Sequence, residues 1–210
     1  MNYSDLRERM VREQLVPRGI INPRVLEAFR KVPREEFISS YAKPSAYVDA
    51  PLSIGRSQTI SQPYTVAFMT ELLEPQVADR VLEVGTGSGY QAAILAELVQ
   101  KVFTIECIEE LAIRAEKTLK VLGYENIEVS IGDGSQGLPN KAPFDGIIVT
   151  AACSEVPPPL LEQLVCGGRL VAPVGGSFLQ EMVRITKTNE GKLEKETFGT
   201  FRFVPLVERE

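Results

Sequence analysis

Val81-Leu82-Glu83-Val84-Gly85-Thr86-Gly87-Ser88-Gly89-Tyr90 decides the reading of this chain, because an apolar run ends in alternating glycines and then opens a helical segment. Glycine permits φ > 0 and has no Cβ, so a bulky ligand can approach the backbone, while the first N–H groups of the following helix remain open as donors. The stretch reads as a strand-to-helix turn that holds a nucleotide-type cofactor. Outward from it the pattern alternates. Strands are expected over 80–84, 101–106, 127–131, 144–151 and 168–174, with helices over 90–99, 109–122 and 158–165. Strands joined through helices of about ten residues or more imply right-handed crossovers and a parallel sheet covered on both faces. The expected class is α/β, a doubly wound, mostly parallel sheet.

The flanks differ in character. A helix is expected over 4–16, with Ser4 as its cap, and a second one begins at Asn22-Pro23 and carries the stripe Val25, Leu26, Phe29, Val32. From Pro33 to Gln62 the spacing loses its period and collects Pro44, Pro51, Gly55 and Ser57, which predicts a long ordered loop or lid before a helix over 63–73. Past Val174 a strand over 181–188, the turn Thr188-Asn189-Glu190-Gly191 and a strand-rich tail predict an antiparallel hairpin at the sheet edge. The whole is read as one domain, 1–210, divided into an N-terminal helical extension with its loop (1–75), a cofactor-binding core (76–175) and C-terminal strands (176–210).

Composition narrows the chemistry. The chain has 210 residues, 44% hydrophobic and 24% charged, a net charge of −5 and no histidine. Without imidazole there is no Ser-His-Asp triad, no Cys-His dyad and no His-ligated zinc. Cys107, Cys153 and Cys166 lack C-x-x-C spacing and read as reduced thiols, so neither a disulfide framework nor a metal site is expected. No apolar run approaches the length of a membrane span, and no basic-then-apolar leader follows Met1, so a cytoplasmic protein without a membrane partner is expected. Basic residues exceed acidic ones only mildly, before residue 44, which argues against a nucleic-acid partner.

The register of the glycines separates two cofactors. A dinucleotide fingerprint starting at Gly85 meets Tyr90 where its third glycine belongs. The shifted set Gly87, Gly89, Ala92 satisfies G-x-G-x-x-A only by pushing the strand into the glycine loop. E-V-G-T-G-S-G instead resembles the first motif of the class I S-adenosylmethionine-dependent methyltransferases, which are Rossmann-like. Glu106, at the end of the next apolar run, stands where an acid can take both ribose hydroxyls. Glu83 is placed to meet the cationic methionine end, directly or through water, and Gly85, Thr86, Gly87, Ser88 and Gly89 line its backbone side. Asp133 is placed to accept from the adenine amino group, with Gly134 leaving room for the ring. Solvated strand-end acids and a plain turn would produce the same residues, but their arrival at successive strand ends is what such a fold requires of a site.

Further segments add a more specific likeness. Gln58-Thr59-Ile60-Ser61-Gln62-Pro63, Gly132-Asp133-Gly134, Pro143-Phe144-Asp145-Gly146-Ile147-Ile148-Val149-Thr150-Ala151-Ala152 and Arg202-Phe203-Val204-Pro205-Leu206-Val207, in this order, resemble the protein-L-isoaspartate O-methyltransferase family over residues from about 4 to 207. The resemblance implies methyl transfer from S-adenosylmethionine, leaving S-adenosylhomocysteine, to the misplaced carboxylate of L-isoaspartyl residues in peptides and proteins, and less well to D-aspartyl. The ester then cyclises to a succinimide that reopens in part to aspartate. It also implies that Ser61 is the active-site serine, that Thr59 and Ile60 help to hold the cofactor, and that Thr59, Ser61, Thr150, Ala151, Ala152, Val204 and Leu206 meet the substrate, in a monomer. One position departs from it: Arg56 stands where bacterial members often carry an acid, which leaves the electrostatics of the lid open.

The implied chemistry suits the composition. A carboxylate with an unperturbed pKa of about 4 is already an anion, so the acceptor brings its own nucleophile and the protein's task is positioning. Ser61 precedes the expected helix start, where a plain N-cap role is compatible with orienting the acceptor, and the helix N–H groups offer a seat for the anion. Three rival readings share parts of this pattern: another class I methyltransferase, an NAD-dependent oxidoreductase using the shifted register, and a cofactor-binding module without turnover.

Overall fold

The computed structural model describes residues 2–207. Helix α1 (Tyr3–Met10) runs on through a π turn (Val11–Leu15) and a 3-10 turn (Val16–Arg18) before α2 (Pro23–Lys31). Asn2, rather than Ser4, caps α1, its side chain accepting from the Ser4 N–H. Asn22 caps α2 by accepting from the Arg24 and Val25 N–H groups, as its place before Pro23 dictates.

The segment expected to be an irregular loop contains a hairpin. Strands β1 (Leu52–Gly55) and β2 (Gln58–Ile60) pair antiparallel, and Arg56 and Ser57 turn the chain at φ 52° and 57°. Two left-handed residues in a row make the turn that matches strand twist, and Asn-Gly is its usual signature. Arg-Ser carries no such signature, which is why the hairpin does not show in the sequence. Helix α3 (Pro63–Leu73) follows directly.

The remainder is β3 (Arg80–Val84), α4 (Tyr90–Ala96), β4 (Lys101–Glu106), α5 (Glu109–Val121), β5 (Ile127–Ile131), β6 (Phe144–Val149), α6 (Pro158–Glu162), β7 (Leu164–Gly175), β8 (Gln180–Lys187) and β9 (Leu193–Phe201). The seven strands lie in the order β5-β4-β3-β6-β7-β8-β9, parallel from β5 to β7 and antiparallel for the last two. This is the expected doubly wound sheet with its C-terminal hairpin. The order reverses direction between β3 and β6, and a ligand crevice opens outside the strand ends at such a switch point. Strand β6 stops two residues earlier than expected, the last rung of its ladder with β3 being the Thr150 N–H donating to the Val84 carbonyl at 2.9 Å. Helices α4 and α6 are shorter than expected and β7 starts earlier. There Gly168 lets the strands approach, since a Cβ would stand 2.8 Å from the Asp145 carbonyl.

Alternation along β3 divides the core between the two faces of the sheet. Leu82 and Val84 pack with Phe103, Ile105, Ile147 and Val149 on one side. Val81 packs with Val102, Ile148 and residues of α2, α3 and α4 on the other. Each such side chain contributes about 1.5–3 kcal/mol on full burial. Glu83 breaks the pattern, being fully buried in the middle of this apolar alternation. A violation of that kind, at the strand leading into the glycine loop, marks the functional end of the sheet.

Candidate active site

The loop after β3 is built on left-handed glycines, of which Gly85 is the most constrained. Gly85, Gly87 and Gly89 have φ of 96°, 53° and 89°, and a Cβ on Gly85 would stand 2.5 Å from the Thr150 hydroxyl oxygen. The loop is stapled to the end of β4. Glu106 Oε2 accepts from the Gly87 N–H at 2.8 Å and Oε1 from the Ile108 N–H at 3.0 Å. Oε1 also accepts from the Cys107 thiol at 3.5 Å, so the lone pair left to accept from a ligand hydroxyl, while Glu106 anchors the loop, is on Oε2.

Beneath the loop lies a buried polar chain. Thr104 donates to Glu83 Oε2 at 2.5 Å, which leaves the Thr86 hydroxyl, 2.6 Å from that of Thr104, as the donor to it. Glu83 Oε1 is buried without a hydrogen-bond partner among the described residues. Burial pushes the Glu83 carboxyl up to about 8, against the opposing hydrogen bond from Thr104 and with added repulsion from Glu106. Glu83 therefore holds its proton at neutral pH and sits behind Thr86 and Thr104 rather than on a cavity wall.

Two small hollows meet at the β1–β2 hairpin. The inner one, about 40 Å³, lies between the hairpin, α3 and the glycine loop, and Thr86, Gly87 and Ser88 line it together with the buried Ile60. The outer one, about 50 Å³, is bounded by Thr65, Arg202 and Val204. Thr59, Ser61 and Thr150 line both. The Thr150 hydroxyl is committed to the backbone, donating between the Gly85 and Val84 carbonyls at 2.6 and 3.1 Å. Those of Thr59 and Ser61 make no hydrogen bond among the described residues.

Two expectations for Ser61 are corrected here. Gln62, not Ser61, is the N-cap residue of α3, and no side-chain cap bond is made. Nor is the helix start fully open to an anion: Pro63 has no N–H, and the Tyr64 N–H is taken by Asp49 Oδ1 at 3.1 Å, which leaves Thr65, on the outer hollow, as the first residue of the turn able to offer its N–H. Asp49 is itself paired with Arg18, whose guanidinium lies 3.6 Å from the centre of the Tyr64 ring. An acid from fifteen residues upstream thus occupies part of the expected anion seat.

The other predicted residues separate into groups. Asp133 Oδ1 accepts from the Ser135 N–H at 2.9 Å, closing a 3-10 turn. The space at Gly134 is not left for a ring but filled by Val84, whose Cγ1 would be 2.5 Å from an added Cβ. Ala151 is half-buried at the turn after Thr150. Ala152 is pinned to the tail, donating to the Val204 carbonyl at 2.8 Å and accepting from the Leu206 N–H at 2.7 Å. Ala152 and Leu206 face a separate cavity of about 480 Å³ beside Ser135 and Glu155. Among the described residues no cluster of three potential metal ligands exists.

Three residues in contact with this site have no signal in the sequence. Asp49 and Arg34 come from the aperiodic segment, and Tyr90 reads only as the residue that spoils a dinucleotide fingerprint. Tyr90 is buried at the first turn of α4, edge-on to Phe29 and Phe37 at 6.1 and 5.5 Å, and lines the inner hollow.

Comparison with known proteins agrees with this geometry. Residues 6–210 match the family described as Protein-L-isoaspartate(D-aspartate) O-methyltransferase (PCMT). Protein-L-isoaspartate O-methyltransferase 1 of Syntrophobacter fumaroxidans is 54% identical over 207 residues, covering 99% of this chain and 96% of its own. The protein-L-isoaspartate O-methyltransferase of Methanoculleus marisnigri is 53% identical over 201 residues, 96% of this chain and 91% of its own. Among solved structures, a protein-L-isoaspartate O-methyltransferase superposes with a TM-score of 0.86 at 30% identity, over 95% of this chain and 65% of that longer one. A Plasmodium falciparum structure, described as a protein-L-isoaspartate O-methyltransferase in complex with S-adenosyl-L-homocysteine, gives 0.82 at 25% identity over the full length of both.

Proposed function

This chain belongs to the protein-L-isoaspartate (D-aspartate) O-methyltransferase family, and on that premise we propose which of its residues do the work. The enzyme transfers a methyl group from S-adenosylmethionine to the free carboxylate of L-isoaspartyl residues, and less well of D-aspartyl residues, in damaged proteins and peptides. The ester then closes to a succinimide that reopens in part to normal aspartate.

The residues present fit that cofactor. The left-handed glycine loop keeps its backbone approachable, Glu106 Oε2 retains a lone pair for a hydroxyl, and Glu83 keeps a buried oxygen without a partner among the described residues beneath the loop. We assign Thr59, Ile60, Glu83, Gly85, Thr86, Gly87, Ser88, Gly89, Glu106, Asp133 and Gly134 to the cofactor. Glu83 acts through Thr104 and Thr86, and Gly134 by packing β5's end against Val84. S-adenosylmethionine supplies a methyl group on a sulfonium centre. The chain's own residues orient the acceptor, exclude water and leave the anion unneutralised.

One observation carries the assignment of the acceptor: Ser61 and Thr59 present uncommitted hydroxyls on the wall shared by the hollow at the glycine loop and the hollow at the tail. A hydroxyl donor orients a carboxylate without neutralising it, whereas a full ion pair would lower its nucleophilicity. Ser61 is assigned the catalytic role, with Thr59, Thr150, Ala151, Ala152, Val204 and Leu206 as the substrate wall. Labelled methyl transfer to paired peptides that differ only in an aspartyl or isoaspartyl linkage tests it. Ser61→Ala should lose turnover on the isoaspartyl peptide, and Ser61→Asp should lose more through repulsion of the acceptor. A folded Ser61→Asp enzyme with wild-type turnover would sink the assignment.

We further propose a cytoplasmic monomer formed as one domain over 1–210, of which residue 1 and residues 208–210 lie outside the described part, with neither nucleic acid nor membrane as a partner. Supporting this, no described helix is long and apolar enough to cross a membrane, and the net charge is −5.

A further inference from the structure

Arg34 is the largest side chain that is completely buried, and no carboxylate pairs with it among the described residues. Its Nε donates to the Ala46 carbonyl at 2.8 Å and its Nη2 to the Ser61 carbonyl at 2.7 Å, while Nη1 has no partner. The guanidinium lies 4.8 Å from the centre of the Tyr90 ring, and the Tyr90 hydroxyl is likewise buried without a partner. Burial pulls Arg34 below its ordinary value against the attraction of Tyr90, Tyr47 and Asp49, yet a guanidinium keeps its charge. A buried charge held only by two carbonyls and a ring is costly, and a hydrophobic residue of similar size would fill the same space. Stability alone therefore does not account for arginine here.

What the side chain touches does. Ser61 is where the acceptor is seated, and Tyr90 opens the helix that follows the glycine loop. Arg34 is the rigid link between them, with its third contact in the segment that precedes the hairpin. We propose that Arg34 is a positioning residue for methyl transfer, fixing the Ser61 backbone relative to the Tyr90 end of the cofactor loop. In-line displacement depends on near-attack alignment, and a misplacement of about 1 Å can cost on the order of a hundredfold in rate. The fork geometry matters: lysine keeps the charge but cannot donate to two carbonyls in one plane while lying over a ring.

The inference rests on the seating of the acceptor at Ser61, so Ser61→Ala is measured alongside. In Arg34→Lys and Arg34→Gln, S-adenosylhomocysteine affinity is titrated by calorimetry, and kcat and KM for an isoaspartyl peptide are expressed per titrated site, so that unfolded molecules do not count. The expected result is a loss of kcat of about tenfold or more in both variants, with cofactor affinity and peptide KM within about threefold of the parent. A kcat per site within about threefold of the parent in either variant, while Ser61→Ala is impaired, overturns the role of Arg34 and leaves the seat intact. Equal loss of cofactor affinity and kcat also overturns it, in favour of a general structural pillar. Full turnover in Ser61→Ala removes the seat itself and the inference with it.

Discussion

Replacing Glu83 by glutamine preserves the shape of the side chain and its bond from Thr104 while removing its titration. In the folded protein this carboxyl titrates at about 8, against 4.5 for an exposed glutamate. Below the lower value both states are protonated and the group contributes no pH dependence. Between the two values the unfolded chain ionises while the folded one keeps its proton, so rising pH draws the equilibrium toward the unfolded state. The slope is about 1.36 kcal/mol per pH unit and disappears once the folded carboxyl ionises as well. Across pH 5 to 8 the parent should lose about 3 to 4 kcal/mol relative to Glu83→Gln, all other titrations cancelling between the two proteins. Urea unfolding of both proteins at four pH values across that window measures the difference directly. Parallel stability curves, differing by a constant to within about 1 kcal/mol, would refute the reasoning and place an ionised carboxylate in the core.

Glu106→Ala should weaken S-adenosylhomocysteine by about 1.5–3 kcal/mol in calorimetry, because a charge-assisted acceptor is lost and the Gly87 N–H is left without its partner; unchanged affinity would remove Glu106 from the site. Gly85→Ala should abolish measurable cofactor binding and cost on the order of 1–3 kcal/mol, as the residue is left-handed and its Cβ collides with Thr150; thermal unfolding and calorimetry check this, and normal binding would show that the loop can shift. Asp49→Ala should lower stability by about 1–2 kcal/mol, the scale of a lost helix cap, and a neutral result in denaturant melts would mean that Tyr64 finds another acceptor.

The sheet was legible because its signal is local and repeated: β3, β4 and β5 fall where the apolar runs place them, and the alternating glycines mark the left-handed loop that follows β3. The hairpin at 52–60 was not, since its turn uses Arg56 and Ser57 in a conformation that their side chains do not announce. The cofactor acids were legible as types and positions but not as environments. Glu83 looks like any strand-end acid until the packing of both neighbouring strands shows that it is dry, and that dryness decides its protonation. Ser61 shows the opposite failure. Local pattern assigned its hydroxyl a helix to cap, whereas a long-range contact from Asp49 takes the helix N–H and leaves that hydroxyl uncommitted at the site. Sequence order carries no trace of such a contact, nor of Arg34 reaching across to the Ser61 carbonyl. At the acceptor side, what pattern reading misses is polar groups brought together from the aperiodic segment before α3, where Asp49 takes the Tyr64 N–H and Arg34 holds the Ser61 carbonyl, leaving one serine hydroxyl between two hollows.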